Sequence, residues 1–204
     1  MARRLAAIMY TDAADYSATA RADESAALQL LHDLEEALRP TLRAFHGHRV
    51  KSIGEDRLVE FRSAVDAVDG AVDLQRRVHE LEVPEGQVPL RVRVGIHVGD
   101  AERRGIGILG GAVETASRIG PLAEPGGIWL TEPVYVQVRS KVPYQLERLG
   151  PKDLKGLREP IAVYHVILPW IGATGTPEIR PPPSLPAPSA PLPPEPPPDA
   201  PGSP

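Results

Sequence analysis

The sequence predicts an α/β (α+β) two-layer sandwich, and three observations carry that expectation. Short apolar stretches with strand periodicity alternate with longer segments of helical periodicity from Arg4 to Leu168. Two of the strand-like stretches flank a tight polar turn and the others stand apart, which implies a mixed sheet. Apolar residues make up 42% and charged residues 25% of 204 residues, the balance of a globular chain long enough to bury a core.

The first strand runs from Arg4 to Thr11 and ends at Asp12. A helix follows over 23–45, with Leu28, Leu31, Leu34, Leu38 and Leu42 as its expected buried stripe. Pro40 lies inside it and predicts a kink. A hairpin pairs Arg49–Ser52 with Leu58–Phe61, because Gly54 followed by acids supplies the backbone angles of a tight turn. Ser63, with Asp66 three residues later, predicts the N-cap of a second helix whose stripe is Val65, Val68, Val72, Leu74, Val78 and Leu81. Pro84, Gly86 and Pro89 then break the chain. In the strand Leu90–Val98, apolar Val92, Val94, Ile96 and Val98 alternate with Arg91, Arg93 and His97. A Gly-rich loop leads to a helix over 112–122, a strand over 128–130 and a short helix over 133–138. Strands over 145–149 and 161–168 close the domain, and no internal repeat is visible.

Composition narrows the function classes. The chain has no cysteine, which excludes a disulfide frame, a thiolate metal site and a Cys nucleophile, and makes the cytoplasm the expected compartment. No stretch reaches the ~20 apolar residues of a membrane span, and the N-terminus reads as a strand rather than a signal peptide. A net charge of −4 and 4% aromatic residues argue against a nucleic-acid surface. The six histidines are scattered without metal-ligand spacing, and neither a P-loop nor a Gly-x-Ser-x-Gly elbow is present. From Pro177 to Pro204, 14 of 28 residues are proline. Such a chain lacks donors and apolar side chains, so a domain over 1–170 and a disordered Pro-rich tail over 171–204 are expected. Its Pro-x-x-Pro matches read as a spacer.

Asp12 at a strand end and Glu55 at the hairpin tip are two carboxylates that a fold can bring together around a hard divalent cation. The surrounding residues resemble a known family. Arg3 to Asp12 is similar to the first strand of the class III nucleotidyl cyclases, which convert ATP or GTP to the 3′,5′-cyclic monophosphate. Lys51 to Phe61 resembles their Lys-Thr-x-Gly-Asp-Gly-x-x-x-x-Phe signature. Val92–Asp100 resembles their central strand, and Gly110–Arg118 the start of their transition-state helix. Leu154–Pro160 with Val163–Tyr164 resembles their C-terminal signature. The resemblance implies a ferredoxin-like fold with a mixed, mostly antiparallel sheet. It also implies a site shared between two subunits, in a homodimer or with another cyclase domain.

Site roles follow by implication from the resemblance. Asp12 matches the first metal acid and Glu55 the second, for a two-ion Mg²⁺ or Mn²⁺ site. The distance to Phe61 selects Glu55 over Asp56, and the added methylene favours Mn²⁺. Lys51 matches the adenine-reading lysine, which favours ATP over GTP, whereas its usual acidic partner falls at Gly107. Arg118 matches the arginine that contacts the triphosphate, and Lys155 a lysine on the phosphates. Glu114 stands where the family places a ribose-orienting Asn, four residues before Arg118 and on the same helix face, so the two are expected to pair. After Asp12 the family runs x-x-Gly-(Tyr/Phe)-(Ser/Thr). This chain has Ala13-Ala14-Asp15-Tyr16-Ser17, with Asp15 adding charge where phosphates sit. Asp56 likewise replaces a Gly. Departures at Asp15, Glu55, Asp56, Gly107 and Glu114 lead to the expectation of a catalytically impaired domain acting as a dimerising or regulatory module. The alternative expectation is an active Mn²⁺-dependent adenylate cyclase.

Overall fold

In the computed structural model, which describes residues 4–104, 107–154, 157 and 159–170, the sheet is organised around its first strand. Strand β1 (Arg4–Ala13) pairs antiparallel with β3 (Asp56–Phe61) on one side and with β4 (Val92–Arg104) on the other. Both of its faces are covered, and Ile8 and Met9 are completely buried. Each such side chain contributes about 1.5–3 kcal/mol relative to exposure.

Strand β2 (His48–Ile53) forms one edge against β3. Beyond β4, the strands β6 (Ile128–Thr131), β8 (Ile161–Ile167) and β7 (Gln145–Lys152) complete the order β2-β3-β1-β4-β6-β8-β7, and β5 (Gly107–Leu109) folds back on β4. The β4–β6 pair is parallel and the other pairs are antiparallel. The sheet is therefore mixed and mostly antiparallel, in an α+β fold.

Period-two alternation sorts the sheet into two faces. On one face Phe61 packs under helix α2 (Glu24–Ala44) and helix α3 (Ala64–His79), close to Leu42 and to Gly70. Asp23 caps α2 through the Ala26 amide at 3.0 Å. Ser63 caps α3 as its sequence predicts, accepting from the Val65 and Asp66 amides. Helix α5 (Glu132–Val138) adjoins α3. On the other face Ala6, Ile8 and Tyr10 of β1 meet Ala112 and Ala116 of helix α4 (Gly111–Ile119), which continues into a 3-10 turn (Gly120–Leu122).

Several elements differ from expectation. Helix α1 (Tyr16–Ala22) was not foreseen, because its sequence carries no apolar stripe and buries no residue. Helix α2 buries Ala27, Leu30, Leu34, Ala37, Leu38 and Thr41, whereas Leu28 is 58% exposed. Small residues on the inner face let the helix approach the sheet, so its contact stripe is rotated from the leucine-rich one. The helix continues through Pro40 to Ala44. Leu81 falls beyond the end of α3 and is partly exposed.

The turn after α4 sits unusually close to the sheet. A Cβ on Gly95 would lie 2.4 Å from the Gly120 nitrogen, and one on Gly120 would lie 2.1 Å from Tyr10 Cδ1. Glycine at both positions lets this turn lie directly on β1 and β4. Among the described residues, no helix is long and apolar enough to cross a membrane. The expected tail over 171–204 lies outside the described residues.

Candidate active site

Register builds the site. In the β1–β4 ladder Asp12 stands opposite Arg93 and Tyr10 opposite Gly95, so these side chains share the α4 face. Asp12 is only 2% exposed. The Arg93 guanidinium grips it as a fork, with Nε donating to Oδ1 and Nη2 donating to Oδ2, each at 2.8 Å. This charge-assisted bonding to Asp12 is what raises the Arg93 pKa further. Arg93 Nη1 also donates to the Pro121 carbonyl at 3.3 Å, which links β4 to the turn after α4.

The Tyr10 hydroxyl lies 2.9 Å from Asp12 Oδ2 and 2.6 Å from Asp56 Oδ1. One phenol proton thus serves two carboxylates. Burial raises the Asp56 pKa, with Glu55 and Asp12 adding repulsion, although the Tyr10 contact opposes the rise. Burial and the Asp56 contact push the Tyr10 phenol well above its ordinary value, so it stays protonated.

The hairpin tip is Gly54-Glu55, with Gly54 at φ +54°. Glu55 Oε1 accepts from Ser17 Oγ at 3.3 Å. The structure therefore sets Asp56, rather than Glu55, against the Tyr10–Asp12 pair. Arg57, buried on the opposite face, donates to the Gly54 carbonyl at 2.7 Å and lies 3.6 Å from Glu35 of α2. Arg49 also pairs with Glu35, so α2 braces the hairpin.

Asp15 holds a left-handed conformation, φ +65°, at the N-cap of α1. Asp tolerates this backbone better than most residues, which accounts for how it fits where the family has Gly. Its carboxylate pairs with Arg91, so the added negative charge is answered locally. Tyr16, half-buried, opens α1.

On α4, Arg118 Nη2 donates to Glu114 Oε1 at 2.5 Å, the pairing expected from their spacing. Arg118 Nη1 is buried and has no hydrogen-bond partner among the described residues. Gly107 lies in β5 opposite Arg104. Lys51 lies in β2 opposite Leu58. Its side chain and Lys155 fall outside the described residues.

The structure thus gathers Asp12, Asp56 and Tyr10 with Arg93, and places Asp15 with Arg91. Sequence reasoning missed Arg91, Arg93 and Tyr10 as site residues. The available signal was the strand alternation itself, two arginines on the polar face of an otherwise buried strand. Farther along β4, a cavity of about 560 Å³ is lined by His97, Gly99, Glu102, Leu109 and Thr115. His97 Nδ1 meets Thr131 Oγ1 at 2.8 Å, and burial lowers its pKa to about 4.

The adenylate and guanylate cyclase catalytic domain family matches residues 3–168. The chain belongs to this family. A Rhizobium meliloti protein provisionally named adenylate cyclase 3 is 32% identical over 188 residues, which is 90% of this chain and 32% of that protein. A Myxococcus xanthus protein named serine/threonine-protein kinase pkn2 is 28% identical over 161 residues, 78% of this chain and 19% of its own length. The chain therefore spans about a third or less of these relatives. A solved adenylate/guanylate cyclase/hydrolase from Silicibacter pomeroyi superposes with a TM-score of 0.75 at 28% identity, covering 81% of this chain and 98% of that one. Known class III cyclases generally use Mg²⁺ or Mn²⁺.

Proposed function

We propose that this class III cyclase domain binds ATP with a divalent cation at a dimer interface and cyclises it slowly, serving chiefly as a dimerising or regulatory module. The observation that carries this reading is the Glu114–Arg118 pair, which puts a carboxylate on the arginine assigned to the triphosphate. In the family reaction the ribose 3′-oxygen bonds to the α-phosphorus, its proton leaves, and the bond to pyrophosphate breaks. With Glu114 in the Asn position, a negative charge lies beside the ribose and opposes charge build-up on the phosphoryl oxygens.

The donor chemistry fits a hard cation. Asp12 and Asp56 are oxygen donors that share one phenol proton, and Asp56, unlike Asp12, has no arginine fork among the described residues, so its carboxylate is the one left to draw a divalent ion. Among the described residues no three acidic, His or Cys side chains converge, so substrate phosphates would complete the coordination. Asp12, with Asp56 or Glu55, would hold the ion, which supplies activation of the 3′-hydroxyl and neutralisation of the phosphates. Arg118 Nη1 is enclosed and has no hydrogen-bond partner among the described residues, so the guanidinium would turn outward to meet a phosphoryl oxygen. Lys51 is assigned to the adenine ring, and Gly107 leaves the exocyclic amine unread.

A second reading, an active Mn²⁺-dependent adenylate cyclase, is favoured by the pairing of Asp15 with Arg91 and of Asp12 with Arg93, since these arginines offset the surplus acids. Purified protein incubated with MnATP, MgATP and MnGTP decides between them, with product measured by chromatography. The first reading expects nucleotide binding with cyclic AMP formation far below ~1 s⁻¹, the low end of ordinary enzyme turnover. Turnover at or above that rate would establish the second.

A further inference from the structure

We infer that Arg93 is the resident counter-ion of Asp12, so that a divalent cation enters this site only against the guanidinium's charge. The inference rests on the assignment of Asp12 as a metal acid in the preceding reading. An ionised carboxylate offers about four in-plane acceptor positions. Arg93 takes one on each oxygen, and the Tyr10 hydroxyl, whose one proton lies between Asp12 Oδ2 and Asp56 Oδ1, crowds the second position on Oδ2. The second position on Oδ1 is the one left clear of both side chains. A cation therefore meets Asp12 through a single oxygen, with a like charge beside it.

Arg93 cannot easily swing aside. Its third nitrogen is held by the Pro121 carbonyl at 3.3 Å, and its side chain is 28% exposed. The acids of the hairpin have no such fork. The Asp56 contact is the neutral Tyr10 hydroxyl, and that of Glu55 is the Ser17 hydroxyl. The acid wall is thus asymmetric, with Asp12 neutralised in advance and the hairpin acids not.

A purely supporting arginine and a competing one predict opposite signs. If Arg93 merely orients Asp12, removing it loosens the acid and weakens cation binding. If it competes, removal tightens binding, even though the fold loses an ion pair.

The test is Mn²⁺ alone, titrated into nucleotide-free protein and followed by the electron paramagnetic resonance signal of free Mn²⁺. Circular dichroism establishes folding of each variant. Arg93→Gln should bind Mn²⁺ roughly ten- to a hundredfold more tightly than the parent, as expected for removing a like charge a few ångströms from a dication. Arg93→Lys keeps the charge without the fork and should stay close to the parent. Should Arg93→Gln not fold, Arg93→Met and Arg93→Lys measured side by side make the same comparison. Adding Asp12→Asn to the neutral variant should erase the gain.

A folded neutral variant that binds no more tightly than the parent overturns the inference. If Asp12→Asn still abolishes Mn²⁺ binding in that case, the assignment of Asp12 stands. If no variant binds Mn²⁺ even with a non-cyclisable ATP analogue, the assignment falls and the inference falls with it.

Discussion

On the proposed reading, replacing Glu114 by Asn should make this domain a faster cyclase, and the Glu114–Arg118 pair gives the reason. Glu114 can hinder the reaction in two ways, by occupying Arg118 or by placing charge near the phosphates. The pair is a surface contact, with side chains 52% and 28% exposed. Such pairs are worth only ~0.3–0.5 kcal/mol, so freeing Arg118 gains about twofold. A full charge ~5 Å from a phosphoryl oxygen opposes it by roughly 1–3 kcal/mol, with dielectrics between surface and water. Charge is therefore the larger effect. Glu114→Asn should raise kcat/KM with MnATP by about 10- to 100-fold. The same change should shift Tm by less than ~2 °C, since little helix stability is lost. Glu114→Gln keeps the length and removes the charge, and should give most of the gain. The assay is cyclic AMP formation under MnATP, with Arg118→Ala made in each background as the floor. Folded Asn and Gln variants no faster than the parent would show that Glu114 does not limit the reaction.

Asp12→Asn should lower stability by about 1–3 kcal/mol, because Arg93 loses its partner at a site only partly shielded from water. Urea midpoints measure this, and an unchanged midpoint would mean the fork contributes nothing. His97 has a folded pKa of about 4, below the unfolded value, so its contribution is complete above about pH 6.5 and is lost as pH falls toward 4. That loss amounts to about 3 kcal/mol at most. Thermal melts from pH 7 to pH 4.5 should therefore fall, and His97→Asn should flatten the slope. Gly95→Ala should cost about 1–3 kcal/mol by pushing against the Gly120 backbone; a melting temperature equal to the parent's would show that the turn yields freely. Light scattering at high micromolar protein should show a dimer, and a strict monomer would count against a shared site.

Much of the fold was legible because strand and helix periodicity are local. The caps at Ser63 and the burial of Val92, Val94, Ile96 and Val98 follow from neighbouring residues. The inner face of α2 was not legible from hydrophobicity, since five leucines compete for it while Ala27 and Ala37 mark the face that meets the sheet. The Glu114–Arg118 contact spans four residues and could be read from spacing alone. By contrast, Arg93 reaches Asp12 across 81 residues, Arg91 reaches Asp15 across 76, and Tyr10 reaches Asp56 across 46. Those contacts depend on strand register, which a list of motifs does not contain.

The acids also belong to regions of unequal permanence. Asp12 lies within a strand that has neighbours on both sides, whereas Asp56 and Glu55 ride on a hairpin whose outer strand is a sheet edge with an irregularity between Arg49 and Lys51. Amide hydrogens along β1 should exchange only when the whole domain opens, while those of the hairpin escape through smaller openings. A cation held by both walls would fasten a loosely anchored ribbon to the most durable strand of the sheet. Its arrival should then be recorded as slowed exchange confined to residues 48–61, with β1 already too slow to register any change.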